Sequence, residues 1–419
     1  MKKIIYTLFA ISLFHPFAIS QWLQQVSGIT DGLQDCDFIN QNTGWVCGNN
    51  GVILKTTNGG VNWFQQSSGV SKILWGIDAV DENLLWCVGQ WNTILKSTDG
   101  GNNWIVLRDG PTSSPTFRKV FFLNTNAGWL LKSNYILRTT NGGTTFDSTN
   151  TVFTFLWDIY FKDALTGVLC ADGARIMKST DGGVIWNLIT IPLYQGEQPN
   201  FYRLSFVNNS FGWTVGEGDN SGLGKLVFRT TNFGSNWDTI GRVQYPNNEF
   251  NYSVFFPSLS TGYCGGTSGF TYKTTNGGFS WNQQVVPSNS YRGDFYFVND
   301  SVGWSIGGGG HIFKTTNGGT YVSVEPISSL IPENFKLYQN YPNPFNPVTN
   351  VIFEIAFEDN VEIIVYDILG RKVEILVNEK LNTGKYKVNF RGDNLSSGIY
   401  ICKLITSKFQ ESKTMVLIK

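Results

Sequence analysis

Thr56-Thr57-Asn58-Gly59-Gly60-Val61-Asn62-Trp63 is the stretch that decides the fold, because it returns six more times. The copies are Ser97–Trp104, Thr139–Phe146, Ser179–Trp186, Thr230–Trp237, Thr274–Trp281 and Thr315–Val322. Their starts are spaced 41, 42, 40, 51, 44 and 41 residues apart. A period of about 40–45 residues, filled with short strands, is that of one four-stranded propeller blade. The box has a structural chemistry of its own. Its Thr/Ser and Asn/Asp side chains can bond backbone groups inside a turn, and its glycines permit positive φ. Its closing Trp can pack the hairpin onto the blade.

A second series of positions sets the register. Phe38, Ala79, Phe122, Phe161, Phe206, Phe256 and Phe297 stand seven residues before Trp45, Trp86, Trp129, Val168, Trp213, Tyr263 and Trp304. Each unit then reads as strand, turn, strand, turn, strand, box, strand. A blade is apolar on both faces and needs neighbours on both sides, so the array must close. Seven repeats predict seven blades. The last box ends in Val322 instead of Trp. Gln21-Trp22-Leu23-Gln24-Gln25 resembles Asn62-Trp63-Phe64-Gln65-Gln66, the strand that follows the first box. The N-terminus is therefore expected to complete the last blade. The alternative is that residues 321–325 supply that strand.

The 419 residues carry 31 Lys+Arg against 31 Asp+Glu, and only 15% are charged. The balance argues against a nucleic-acid partner. Two His exclude a multi-His metal site. We expect no metal, no cofactor and no membrane span, since no mature segment reaches about 20 apolar residues. Met1-Lys2-Lys3, the apolar run Ile4 to Phe14 and Ala18-Ile19-Ser20 read as a secretory signal over 1–20. The propeller is expected over 21–325, a linker over 326–340 and a small immunoglobulin-like β-sandwich over 341–419. The fold class is thus all-β. In the tail, strands are expected at 350–357, 361–366, 372–377, 385–390, 399–406 and 410–418.

Ser/Thr-x-Asp/Asn-x-Gly-x-x-Trp resembles the Asp-box (BNR) repeat. The longer unit, from Gly44-Trp45-Val46-Cys47-Gly48 to Gly60, is similar to propellers of the photosystem II assembly-factor type. The tail resembles the type A C-terminal sorting domain of the type IX secretion system. The resemblance rests on Asn340-Tyr341-Pro342-Asn343-Pro344-Phe345, Val365-Tyr366-Asp367 with Gly370-Arg371, Gly384, Ser397-Gly398-Ile399-Tyr400 and the final strand. It implies that 341–419 engages the type IX machinery of a Gram-negative bacterium. The chain would then be extracellular or on the outer-membrane surface.

The 14 Trp sort by position. Five are second-strand anchors, five close boxes, and Trp22 belongs to the closing strand. Trp75, Trp91 and Trp157 are left over. Propeller ligands usually bind at the mouth, where each inner strand begins. Four residues before each anchor stand Gln34, Trp75, Arg118, Trp157, Tyr202, Tyr252 and Gly293, with Arg203 and Arg292 adjoining. Trp91 and the long loops 186–202 and 217–222 open on the same face. Irregular loops on a regular scaffold concentrate binding. The candidate ligand residues are Trp75, Trp91, Arg118, Trp157, Tyr202, Arg203, Tyr252 and Arg292. They suit a glycan or a protein, or else they plug the channel. No catalytic residues are assigned, because Asp158, Glu217, Asp219, Glu249 and Asp294 form no evident pair. Arg118, Arg203 and Arg292 could mimic a sialidase triad. A glycoside hydrolase and a structural surface protein therefore stand as alternatives. Cys36 is expected opposite Cys47, as a disulfide or as a packed reduced pair.

Overall fold

The computed structural model describes residues 22–151, 153, 155–193, 199–217, 224–244, 251–284, 286–288, 290–319, 325–328, 332–392 and 395–419. The expected leader, Asp219, Glu249, Val322 and parts of the two long loops lie outside the described residues. The chain divides into two compact units after Gly319.

The first unit holds seven four-stranded antiparallel sheets among the described residues. Their inner strands are Leu33–Phe38, Leu74–Ala79, Phe117–Phe122, Leu156–Phe161, Asn200–Phe206, Asn251–Phe255 and Arg292–Phe297, which we number as blades 1 to 7. Each inner strand neighbours the next, and that of blade 7 neighbours that of blade 1. Blade 7 takes its fourth strand from the N-terminus: Leu23–Gln25 pairs with Ile312–Thr315.

Each box is a turn wired by its own side chains. Thr56 Oγ1 accepts from Gly60 N at 2.8 Å and donates to Asn58 Oδ1, which accepts from Asn62 N at 2.9 Å. The glycine is required: Gly60 has φ +88 and lies against the Trp304 and Trp63 indoles. The boxes also fasten one blade to the next. Trp45 Nε1 donates to Gly100 O in the box of blade 2 at 3.1 Å, and Trp129 Nε1 to Gly182 O at 2.9 Å. Trp213 Nε1 and Tyr263 OH do the same to Gly277 O and Gly318 O, each at 2.9 Å. Trp304 Nε1 closes the circuit onto Gly59 O of blade 1. Thr274→Ala should therefore cost about 1–3 kcal/mol, because it leaves the buried Gly278 N–H without the acceptor it has at 2.9 Å. Urea unfolding would measure the loss.

Between blades the anchors stack. Phe38 lies on Trp304 with ring centres 3.9 Å apart, Phe122 on Trp86 at 4.4 Å and Phe161 on Trp129 at 3.5 Å. Phe256 lies on Trp213 at 4.1 Å and Phe297 on Tyr263 at 3.9 Å. The inner-strand ring also covers the glycine before the second-strand anchor. A Cβ on Gly44 would sit 2.1 Å from the Phe38 ring.

This packing corrects the register assumed for the cysteines. Phe38 pairs with Gly44, not Trp45, so Cys36 faces Val46 and Asp35 faces Cys47. All six cysteines are free and buried. They act as small apolar residues, and burial raises the thiol of Cys36 well above its ordinary value.

The second unit is a sandwich of two four-stranded sheets. One runs Glu325–Ser328, Gly384–Arg391, Val348–Ile355, Lys336–Leu337; the other runs Lys372–Leu381, Asp359–Asp367, Gly398–Ile405, Gln410–Leu417. Strict alternation puts Val351, Phe353, Val361, Ile363, Val388 and Leu404 into one core. The stretch read as a linker is not bare, since it supplies the strand at 336–337 and most of the strand at 325–328. The segment 340–345 ties down the last strand. Val416 N donates to Asn343 Oδ1 at 2.8 Å, Phe345 N to Val416 O at 2.8 Å, and Ile418 N to Phe345 O at 3.0 Å.

Candidate functional site

The centre of the ring is layered, and the layering starts from one backbone feature. In every blade the pairing of the first two strands slips once. The slips fall between Leu33/Asp35, Leu74/Gly76, Phe117/Lys119, Leu156/Asp158, Phe201/Leu204, Asn251/Ser253 and Arg292/Asp294. The residue skipped is Gln34, Trp75, Arg118, Trp157, Tyr202 (with Arg203), Tyr252 or Gly293. A bulge leaves one residue unpaired and re-aims its side chain. The candidate mouth positions are thus the bulge positions of the seven blades.

One residue further along lies a tier of Asp35, Gly76, Lys119, Asp158, Arg203, Ser253 and Asp294. It fills the channel with charge. Asp35 receives Lys119 Nζ at 3.3 Å and Arg203 NH2 at 3.1 Å. Arg203 also reaches Asp294 at 3.4 Å, and Ser253 Oγ donates to Asp294 Oδ1 at 2.6 Å. The carboxylates also bind the backbone of the next blade: Ile77 N reaches Asp35 at 3.0 Å and Leu204 N reaches Asp158 at 2.8 Å. Below it, Asp37 and Asp78 accept from Ala79 N and Phe122 N.

These carboxylates outnumber the cations, and their proton affinities separate. Burial raises Asp294 to about 8, against the pull of Arg203. Burial likewise raises Asp37 to about 6 and Asp78 well above its ordinary value. Asp35 is different: burial opposes it, yet Lys119 and Arg203 hold it down at about 2. The structure places Arg203, expected among the ligand residues of the mouth, in the channel tier on Asp35 and Asp294.

Above the plug, five mouth residues form an arc over five consecutive blades. The Arg118 guanidinium lies 4.3 Å from the Trp75 ring centre and 5.0 Å from that of Trp157. Tyr202 packs edge-on against Trp157 at 4.8 Å and against Tyr252 at 5.3 Å. The Trp157 indole is held from behind, donating to Asp172 Oδ1 at 2.5 Å. The arc stops at blades 7 and 1, where Tyr291 takes the space: Gln34 Nε2 donates to its hydroxyl at 2.9 Å. Trp91 joins Arg118 and Trp157 around one groove of about 320 Å³.

Arg292 is elsewhere. It is fully buried, 4.9 Å from the Phe313 ring, and donates to Ser288 O at 2.8 Å and to Thr271 Oγ1 at 3.3 Å. Arg118, Arg203 and Arg292 thus sit in three different surroundings and form no triad. Asp158 and Asp294 belong to the plug, where both are buried. His311 Nδ1 lies 3.1 Å from Ser288 Oγ and 3.0 Å from Ser290 Oγ, a local turn contact. Sequence reading missed Tyr291, Pro115 and Phe155. Phe155 and Tyr291 share one repeated position, two residues before the bulge residues Trp157 and Gly293, so counting back two more residues would have flagged them; Pro115 belongs to the loop before the inner strand of blade 3.

With this geometry established, comparison with known proteins places the chain. Residues 15–109 and 148–289 match the family described as photosynthesis system II assembly factor YCF48. The chain belongs to this family. Residues 339–419 match the secretion system C-terminal sorting domain. The tail therefore marks the chain for export by the type IX secretion system, to the cell surface or the extracellular space. Among described residues no helix is long and apolar enough to cross a membrane.

Among solved structures the chain is similar to a YCF48 bound to D1 peptide, with a TM-score of 0.57 and 19% identity over 72% of this chain and 99% of that one. YCF48 from Cyanidioschyzon merolae gives 0.57 and 19%, over 70% and 98%. An ancestral GH74 enzyme gives 0.56 and 12%, over 94% of this chain and 63% of the enzyme. At these identities the likeness is one of fold. Among curated proteins none matches.

Proposed function

We propose that this protein is an exported binding propeller whose mouth holds a segment of another protein. The observation that carries the reading is Arg118 wedged between Trp75 and Trp157 in a continuous aromatic arc. Trp, Tyr and Arg are the residues that dominate protein–protein binding energy. Their mutual edge and cation contacts hold them in place before a ligand arrives, which lowers the ordering cost of binding. A glycan would need bare indole faces to stack on. Arg118 already covers one face of Trp75 and of Trp157, and Lys72 lies 5.3 Å from the Trp91 ring centre. A related propeller fold has been solved with a peptide, which agrees with this reading. Hydrolysis finds less support, because Asp35, Asp158 and Asp294 are spent on holding blades together.

A test is to probe the full exported chain on a peptide array and a glycan array in parallel. The expected result is peptide binding, lowered by about 30-fold or more in Trp75→Ala with Trp157→Ala while circular dichroism is unaltered. Binding confined to glycans, or affinity indifferent to both substitutions, would reject the proposal.

A further inference from the structure

The mouth arc has an appendage that the repeat pattern does not explain. It is the groove shared by blades 2, 3 and 4, with Trp91, Pro115, Arg118, Phe155, Leu156 and Trp157 among its lining. Two aromatic residues there stand in the left-handed region: Trp91 at φ +55 and Phe155 at φ +58. At the position of Trp91, the hairpin turns of blades 1, 3, 4, 6 and 7 place Asn50, Ser133, Gly173, Ser268 or Gly309 in that region, all small or turn-forming residues. A bulky side chain in that conformation costs backbone energy, and such strain concentrates where a surface is used. Phe155 is nevertheless 54% exposed, so its own burial does not compensate for it.

The turn that carries Trp91 is fastened. Gly110 N donates to Trp91 O at 2.7 Å and Asn92 N to Pro115 O at 2.9 Å. On the other side Leu156 N donates to Ser133 O at 2.9 Å and Asp172 N to Phe155 O at 3.3 Å. The apolar sides of the groove are thus set by backbone bonds before anything enters it.

The charge in the groove is mostly positive, with Asp172 as a nearby acid that attracts Arg118 through space. Arg118 lies over two rings, and Asp172 acts on it through space while accepting a hydrogen bond from the Trp157 indole. Stacking uses the flat faces of a guanidinium and leaves the donor edge free, the edge that matches a carboxylate. Lys132, beside Ser133, donates to the neutral Asn92 Oδ1 at 3.0 Å and lies 5.3 Å from the Phe117 ring centre. The nearby Asp172 is engaged by the Trp157 indole, and Arg175 donates to its carbonyl at 3.0 Å.

We infer that this groove selects acidic protein segments, taking an aromatic or aliphatic side chain between Trp91, Pro115 and Phe155 while Arg118 receives the carboxylate of an adjoining Asp or Glu. The inference rests on the mouth being a protein-binding site and names the class of segment it takes.

The test uses the full chain and blocked, fluorescein-labelled ten-residue peptides read by anisotropy. The peptides carry Leu-Asp, Ala-Asp, Leu-Asn or Leu-Lys at their centre in an otherwise Gly/Ser sequence. Leu-Asp is expected to bind about tenfold more tightly than Leu-Asn or Ala-Asp, and Leu-Lys more weakly still. Arg118→Met should abolish the Asp-over-Asn preference and keep the Leu-over-Ala preference. Phe155→Ala, at an exposed site, should do the reverse. Peptides that bind through the mouth, as judged by loss in Trp75→Ala, yet show no such preferences would overturn the inference and leave the binding reading standing. Absence of peptide binding altogether would overturn both.

Discussion

Trp22→Ala should destabilise the ring by about 3–5 kcal/mol, the usual cost of emptying a buried Trp site. The melting temperature should fall on the order of 10 °C for a unit of this size. Trp22 is fully buried and packs edge-on against Phe297 with ring centres 5.8 Å apart, near Tyr263 at 6.1 Å and Phe295 at 6.2 Å. Its interplanar angle with Phe297 is 87°, the value that Trp63 makes with Phe38 and Trp281 with Phe256. The N-terminal Trp thus occupies the seat that a box Trp holds in other blades. Leu23, Gln24 and Gln25 add the ladder beside it. Deleting 21–28 should cost more than the single substitution, since it exposes the edge of blade 7 as well. Trp22→Phe should recover part of the loss. A melting temperature unmoved by Trp22→Ala would refute this account of closure.

Removing Arg203 should be comparably damaging. Arg203→Met leaves Asp35 and Asp294 buried without their shared cation, and breaking such a pair costs about 3–5 kcal/mol. Asp35→Asn with Arg203→Met should be milder than Arg203→Met alone, because it also removes one stranded charge. The wild-type plug carries a pH signature with a definite sign. Asp294 is raised to about 8 and Asp37 to about 6 in the folded chain. Between the ordinary value near 3.8 and these values, the folded chain keeps protons that the unfolded chain has lost. Stability from these two groups therefore declines as pH rises through that window. Asp35, held at about 2, works the other way and loses its contribution as pH falls from 3.8 towards 2. The melting temperature should accordingly be higher near pH 5 than near pH 8. The deficit of Arg203→Met should widen at the higher pH, where the stranded carboxylates must ionise. A melting temperature that rises from pH 5 to pH 8 would contradict this picture of the channel.

Part of the site was legible in the chain and part was not, and the division follows the bulges. Trp75, Arg118, Trp157, Tyr202 and Tyr252 could be found by counting back from the anchors, because each blade repeats the same slip. Counting by twos along a strand could not show that the next residue, such as Asp35 or Lys119, turns into the channel as well. Arg203 was counted with the mouth for that reason, lying beside a mouth residue in sequence and beneath it in space. Cys36 was misplaced by a related error: the pairing partner of Phe38 is set by the glycine under its ring and not by the nearest large residue. Arg292 looked like a mouth cation because nothing local reveals that it packs on Phe313.

By itself the sequence determined the number of blades, the turn chemistry and the nature of the exported tail, and it pointed to the N-terminal strand as the closing one. These depend on short-range bonding and on patterns repeated every blade, such as Thr56 with Asn58 and Gly60. Only the tertiary structure decided which charges meet and which aromatic residues remain available. Arg203 finds Asp35 across 168 residues of chain, and Arg118 finds Trp75 and Trp157 from two other blades. Such contacts exist only once the ring closes, because closure alone brings the inner strands of separate blades around one axis.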